Sequence, residues 1–327
     1  MKYISSPFTD PYTNLALEEY VFRTLSAADD FFMLWQNYNS VIIGRFQNTI
    51  EEIDEEYCRE NGIRVARRLT GGGAVFHDRG NLNYTLITKQ EQKEDFDFSI
   101  FVRPVISVLE GYGIPAEFSG RNDILIDGKK ISGNSQYFSR GVLLHHGCIM
   151  LESNLADVSR ALRPKEAKFE SKGIKSVVSR VTTINENAPG PISMEQFKED
   201  LKNEFLDRGG MTDYELTEQD LENVRALKDN KYATWEWNYG KSPAYNVRKE
   251  KKFPQGLVTV QMDVNEGNIV SIRFFGDFFS NKDINELENS LAGRPLSEDL
   301  LPALEQISAG EYLGGLSAAE LYTLLTT

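Results

Sequence analysis

Three consecutive glycines stand in the stretch Arg67-Arg68-Leu69-Thr70-Gly71-Gly72-Gly73-Ala74-Val75-Phe76-His77-Asp78. Glycine reaches φ > 0 without strain and lets the backbone approach a ligand closely. Successive free N–H groups can cradle phosphate or carboxylate oxygens. Arg68 beside them offers a planar guanidinium that grips such an anion through two parallel hydrogen bonds. A glycine triplet alone is more often a turn, but here Arg, Thr, His and Asp flank it between two expected strands. The spacing fits neither a P-loop, which closes on Gly-Lys-Ser/Thr, nor a dinucleotide fingerprint.

A second cluster runs Gly120-Arg121-Asn122-Asp123, then Gly128-Lys129-Lys130-Ile131-Ser132-Gly133. A fixed lysine there could neutralise a carboxylate and a phosphate brought together, which lowers the barrier to joining them. The plain alternative is that Asp-Gly-Lys-Lys marks an exposed hairpin turn. A third cluster, His145-His146-Gly147-Cys148, holds two of the three histidines; the other is His77. Adjacent strand residues face opposite ways, so at most one of this pair can face a common pocket. No carboxylate or cysteine stands at metal-ligand spacing from them. Cys148 reads either as a nucleophile beside His146 or as a small buried thiol. A fourth segment, Lys172 to Thr182, mixes Gly, Ser and cations; it could close over a nucleotide or be an ordinary surface loop.

Elements that would position these residues can be read locally. Asp10-Pro11 opens a helix through Phe22. Phe31 to Trp35, Ser40 to Ile43, Ile63 to Arg67, Asn83 to Thr88, Asp123 to Ile126 and Val142 to Leu151 read as strands, with Phe76 in another. Ser99 to Tyr112 and Met194 to Leu206 have helical periodicity. Ser242-Pro243, a basic run at Arg248, Lys249, Lys251 and Lys252, and Phe253-Pro254 suggest a linker. That run reads either as a docking patch for an acidic partner or as solvated linker. Beyond it, alternating Val258, Val260, Met262 and Val264, turn residues Asn265–Asn268, and a strand at Ile269 to Phe275 form a hairpin. Ile284, Leu287 and Leu291 at helical spacing follow it. Ser317 to Glu320 has the form of a capping box.

With 327 residues and a net charge of −13, the chain can bury a substantial core and lacks the basic surface of a nucleic-acid binder. Much of the excess acid lies after Phe253. Only two cysteines, Cys58 and Cys148, are present, which points to a reducing compartment and argues against a disulfide framework. No run is apolar enough for a signal peptide or a membrane span.

Taken in order, ARRLTGGGAVFHDRGN, GRNDILIDGKKISG, LHHG and KGIKSVVSRVT resemble the lipoate–protein ligase A family. DPYTNLALEE, VIIGRFQN at Val41–Asn48 and ATWEWNYGKSPAY at Ala233–Tyr245 extend the resemblance over nearly the whole chain. It implies an α+β fold: a large biotin/lipoate ligase-like catalytic domain with mixed sheets over residues 1–245, a linker at 246–252 and a small α+β accessory domain at 253–327. It implies an enzyme that uses ATP and Mg²⁺ to convert lipoic acid to lipoyl-AMP and then acylates a lysine of an acceptor. By the same resemblance Arg68, Thr70, Gly71, Gly72, Gly73, His77, Lys130, Gly133 and His146 bind lipoate. Arg68, Gly73, Ala74, Val75, Phe76, Asn122, Asp123, Lys130, Lys172, Val177, Ser179 and Arg180 bind ATP. Lys130 is the catalytic cation and Asp123 the partner of a phosphate-held Mg²⁺.

Implied partners are lipoyl domains of 2-oxoacid dehydrogenase E2 subunits and the glycine-cleavage H protein. No nucleic acid or membrane partner is expected, and the resemblance points to a cytoplasmic monomer. One departure is Leu69-Thr70, where some relatives carry a serine. Two other readings stay open. Cysteine-dependent octanoyl or lipoyl transferases share the fold, but their cysteine lies near the position of Arg121–Asn122, where this chain has none. A non-catalytic adaptor for a lipoyl carrier would not need Arg68, Lys130 and the glycine loop.

Overall fold

The computed structural model describes residues 1–90, 97–119, 122–162, 180–207, 210–240, 245–280, 282–297 and 299–326. The chain forms two compact units. The first comprises Met1–Ile43, Thr49–Arg67 and Ala74–Asn238; the second comprises Gly44–Asn48, Arg68–Gly73 and Tyr239–Thr327.

The first unit is organised on a mixed eight-stranded sheet. Its strands are β1 (Lys2–Ser5), β2 (Phe31–Trp35), β6 (Asn81–Lys89), β7 (Glu117–Ser119), β8 (Asp123–Ile126), β9 (Lys129–Ser139), β10 (Val142–Met150) and β11 (Thr212–Asp213). They lie in the order β11-β1-β2-β6-β10-β9-β8-β7. β1 runs parallel to β11 and β2, and the remaining pairs are antiparallel. A second sheet holds β3 (Ser40–Ile43) between β4 (Arg64–Arg67) and β5 (Val75–His77).

One face of the large sheet is apolar. Leu82, Tyr84 and Leu86 pack there with Val105 and Leu109 of helix Ser99–Gly111 and Phe197 of helix Met194–Asp207. Gly147 belongs to this face for a steric reason: a Cβ on it would sit 2.4 Å from the Tyr84 ring and 2.2 Å from Asn134 Oδ1. Helix Pro11–Arg23 opens as the sequence signals, with the Asp10 side chain accepting from Thr13 N–H and Pro11 in the first turn.

The same helix carries a buried carboxylate, Glu19, met by Lys231 Nζ at 2.6 Å, Tyr232 Oη at 2.7 Å and Arg23 Nε at 2.6 Å. Burial alone would raise its pKa. The Lys231 charge and these hydrogen bonds outweigh burial and hold the carboxyl below its ordinary value. A lowered folded pKa gives stability that is present above the unfolded carboxylate pKa and is lost as pH falls through the folded value. We therefore expect wild type to be more stable than Glu19→Gln in urea titrations at neutral pH. The two midpoints should converge below about pH 4; parallel curves across that range would refute the pairing.

In the second unit, β12 (Val247–Phe253), β13 (Gly256–Asn265) and β14 (Asn268–Gly276) form an antiparallel meander. Helices Ile284–Leu291, Leu300–Gln306 and Ala318–Thr326 pack Leu287, Leu304 and Leu321 against Val260, Met262 and Phe274. Glu266 and Gly267, at φ 50° and 78°, make the hairpin turn between β13 and β14. The expected linker at 246–252 is corrected: all but its first residue lie in β12, paired from Val247 to Phe253 with β13. Basic residues on both faces of this strand hide its alternation. Lys249 Nζ donates to Leu325 C=O at 2.6 Å, near the end of helix Ala318–Thr326, and Lys251 lies 5.2 Å from the Phe253 ring centroid. Long cationic side chains can cover a sheet face with their stems, which a charge pattern cannot reveal. Among the described residues, no helix is long and apolar enough to cross a membrane.

Candidate functional site

Asp127 and Gly128, at φ 49° and 72°, make the tight turn between β8 and β9. The hairpin reading of this segment and a role for Lys130 are therefore compatible, because the turn ends two residues before the lysine. The ladder then slips: Leu125 pairs with Lys130, but Ile124 pairs with Ser132. The extra residue is a bulge, and a bulge re-aims the side chains around it. In a regular strand Lys130 and Gly133, three apart, would face opposite sides. Here they share one side, since a Cβ on Gly133 would sit 2.7 Å from Lys130 Nζ. The bare glycine lets the lysine lie across its own strand and reach Asp123 at 2.8 Å. The Lys130 side chain stays 32% exposed, so a charge delivered from solvent can reach it. Its backbone is fixed on the other side: Lys130 N–H donates to Arg180 C=O at 2.8 Å, and Thr182 N–H donates to Lys130 C=O at 3.0 Å.

The sheet register collects more polar groups on that face. Trp35, Asn83, Cys148, Gly133 and Asp123 stand directly opposite one another across five strands. The neighbouring row holds Thr85, His146 and Ser135. Residues directly opposite share a face. Beneath them Glu18, 1% exposed, accepts from Thr85 Oγ1 at 2.6 Å and lies 2.9 Å from His146 Nδ1. Thr85 Oγ1 in turn accepts from Trp35 Nε1 at 3.0 Å. Asn81 closes the glycine-loop motif but receives no role from the sequence, and Asn83 reads there only as part of a strand. Both are buried, with Asn81 Oδ1 and Asn83 Nδ2 lacking a hydrogen-bond partner among the described residues. An unmatched buried amide costs about 1–3 kcal/mol and signals a missing ligand or water. The available signal was two asparagines at strand spacing, Asn81-Leu82-Asn83, within an otherwise apolar run.

The histidine pair divides as alternation requires. His145 turns to the apolar face, stacked on Phe101 at 4.6 Å and bonded through Nδ1 to Gln136 at 3.1 Å. Burial, then the neighbouring His146, pushes its pKa well below the usual value, so it is a neutral core residue. His146 lies on the polar face. His77, in β5, is also buried, with Nδ1 3.2 Å from Asn37 Nδ2. Asn122 ties β9 in place: its Nδ2 donates to Asn134 C=O at 2.6 Å, and Asn134 N–H donates to Asn122 C=O at 2.9 Å. Of the cysteines, burial pushes the Cys58 thiol up to about 11, too high for a nucleophile. Cys148 Sγ faces Gly133 C=O at 3.7 Å.

The glycine loop is built within the second unit. Arg68 is buried, and its guanidinium donates inward, to Gly71 C=O at 2.7 Å, Gly73 C=O at 2.8 Å and Thr70 Oγ1 at 3.0 Å. It staples the loop that it was expected to serve as an anion clamp. Gly72 adopts φ 90°, which other residues rarely reach. Gly73 is exposed, and a Cβ on it would meet nothing within 4 Å. The three glycines therefore differ, and the third is the one open to a ligand. In the first unit, Ala74 and Val75 are partly exposed and Phe76 is buried. Lys172, Val177 and Ser179 lie outside the described residues, and Arg180 is placed by the backbone bond to Lys130.

Comparison with known proteins gives a consistent result. Residues 10–206 match the family described as the lipoyl protein ligase A/B catalytic domain, and residues 242–325 match the bacterial lipoate protein ligase C-terminus. Lipoate-protein ligase LplJ of Bacillus subtilis is 41% identical over 320 residues, 97% of each chain. The crystal structure of P. falciparum LipL1 in complex with lipoate is similar with TM-score 0.79 at 23% identity, covering 99% of each chain, which shows the fold. A crystal structure of lipoate-protein ligase A bound with ATP aligns with TM-score 0.62 at 28% identity, covering 73% of this chain and 99% of that one.

Proposed function

Because this chain belongs to the lipoate–protein ligase family, we propose that Lys130 is the fixed cation at which it joins lipoate to ATP. The protein is an ATP-dependent lipoate–protein ligase. The observation that carries the residue assignment is the bulged β8–β9 hairpin, which lays a partly exposed ammonium over Gly133 beside Asp123.

In the first step a lipoate carboxylate oxygen attacks the α-phosphorus of ATP, and the bond to pyrophosphate breaks. Two anions must approach, and Lys130 offsets their repulsion with a charge held in place before they meet. Arg68, Thr70 and Gly71 to Gly73 hold the acyl group, and Arg68 and Gly73 to Phe76 run along the nucleotide with Asn122. Trp35, His146 and His77 line the acyl pocket. In the second step a neutral lysine amine of the acceptor attacks the acyl carbon, the acyl–phosphate bond breaks, AMP leaves and the amine proton passes to solvent. Lys172, Val177, Ser179 and Arg180 contact the adenylate. Mg²⁺ carried on the ATP phosphates would meet Asp123 and neutralise the triphosphate. One carboxylate plus substrate phosphates suits that ion, and among the described residues no cluster of three His, Cys, Asp or Glu offers a protein-only site. The acceptors are lipoyl domains of 2-oxoacid dehydrogenases or the glycine-cleavage H protein, and the enzyme works as a cytoplasmic monomer.

ATP–pyrophosphate exchange with lipoate, octanoate and biotin tests this reading, followed by transfer to separate acceptor domains. Lipoate should drive exchange; purified protein that gives none would overturn it. The cysteine-dependent transferase is tested separately. Cys148→Ser should keep ligase activity within about twofold, because a near-isosteric change at a half-buried side chain with no role in the chemistry leaves Lys130 and Gly133 in place. A loss of a hundredfold, with a normal melting curve, would restore the acyl-thioester reading.

A further inference from the structure

Two other segments of the second unit hold the glycine loop. Arg45 N–H donates to Thr70 C=O at 2.8 Å, and a Cβ on Gly44 would sit 1.9 Å from the Gly72 oxygen. The segment that follows β14 packs just as closely. A Cβ on Gly71 would sit 2.2 Å from the Phe278 oxygen and 3.1 Å from Phe279 Cα. These two supports are also tied to each other. Gly276 N–H donates to Phe46 C=O at 2.7 Å, and the Phe46 and Phe278 rings stack at 4.8 Å with 11° between their planes. Residues more than two hundred positions apart in sequence thus form one packed block around the loop.

At the tip of the block stands Gly72, whose φ of 90° no packing of its own side chain can enforce. A Cβ there would meet Arg68 Nη2 at 3.0 Å and the Phe279 ring at 3.4 Å. Phe279 is 3% exposed. From this we infer that Phe279, in the C-terminal part of the chain, is a positioning residue for substrate binding: its ring, set against Gly72, holds the Arg68–Gly73 loop in its binding shape. The inference rests on the proposal that this loop binds lipoate. Without the ring the loop samples more conformations, and lipoate must order it on binding. Ordering roughly one extra backbone residue weakens affinity about tenfold. Phe279 would then set KM for lipoate without touching the reacting atoms.

Calorimetric titration of the full-length protein with lipoate, alongside exchange kinetics, separates the possibilities. Phe279→Ala should raise the lipoate Kd and KM about tenfold, with kcat at saturating lipoate within about threefold. Phe279→Leu refills most of the space and should recover most of the affinity. It also keeps the test alive if the alanine variant does not fold. Gly73→Val serves as the control, because its side chain enters open space and should block lipoate only if this loop binds it. Weak binding by both Phe279→Ala and Gly73→Val supports the inference. Normal binding by Phe279→Ala with weak binding by Gly73→Val overturns it and leaves the loop assignment standing. Normal binding by both overturns the loop assignment and the inference with it. A fall in kcat alone, with KM unchanged, would also sink the positioning role.

Discussion

Lys130→Ala should lower lipoate-dependent ATP–pyrophosphate exchange by about 10²–10³-fold, the range for removing one fixed charge-stabilising group, while the protein melts almost as wild type. The expected asymmetry follows from where the side chain lies. It is 32% exposed, and its partner Asp123 is 34% exposed, so solvent screens the pair. Such a pair contributes about 0–1 kcal/mol to folding. The backbone bonds that hold the strand, from Lys130 N–H to Arg180 C=O and from Thr182 N–H to Lys130 C=O, do not depend on the side chain. Arginine should be a poor substitute, since a planar fork cannot follow the path over Gly133 that a slender ammonium takes. Gly133→Ala supplies an independent check. Its methyl would fall 2.7 Å from Nζ and 2.9 Å from Cε, atoms at the far end of a flexible chain that can swing away. Gly133→Ala should therefore fold but lose exchange activity, because the ammonium is displaced. Undiminished exchange in Lys130→Ala would refute the role assigned to this residue.

Gly71→Ala should be far more damaging to stability than Gly73→Ala, although the two stand in the same triplet. The added methyl at Gly71 would lie 2.2 Å from the Phe278 oxygen and 3.1 Å from the carbon that carries it. Those atoms are backbone and have no rotamer to change, so the loop itself must shift. Overpacking of that kind costs about 1–3 kcal/mol. At Gly73 the methyl meets nothing within 4 Å, and the stability change should stay within about 0.5 kcal/mol. Urea midpoints for the two variants measure the difference directly. Lipoate titration should show Gly71→Ala also binding weakly, since the loop is stapled by Arg68 in the shape it would lose. Equal midpoints for the two variants would mean that the Gly71–Phe278 contact is not a fixed feature of the molecule.

Much of the scaffold was legible in the sequence because its signals are local. Asp10-Pro11 starts a helix with its own side chain and ring, Asp127-Gly128 turns a hairpin with two positive φ values, and His145-His146 must part because strand neighbours alternate. Each of these is settled within a few residues. The motifs also identified the family, and with it the reaction. What the sequence could not carry was the pairing of distant segments. The bulge that brings Lys130 and Gly133 to one face is a property of how β8 meets β9, not of either strand alone. Basic side chains disguised β12, whose register is set by β13. Arg68 is the plainest case: its type and position suggest an anion clamp, and only the folded loop shows that its guanidinium also donates to carbonyls of Gly71 and Gly73. Likewise, only the packing of Phe278 against Gly71 reveals that one of three identical glycines is a matter of fit and another of open access. Residue type and spacing determine which chemistry is available. Which atoms are then already engaged is decided by contacts between parts of the chain that no local pattern connects.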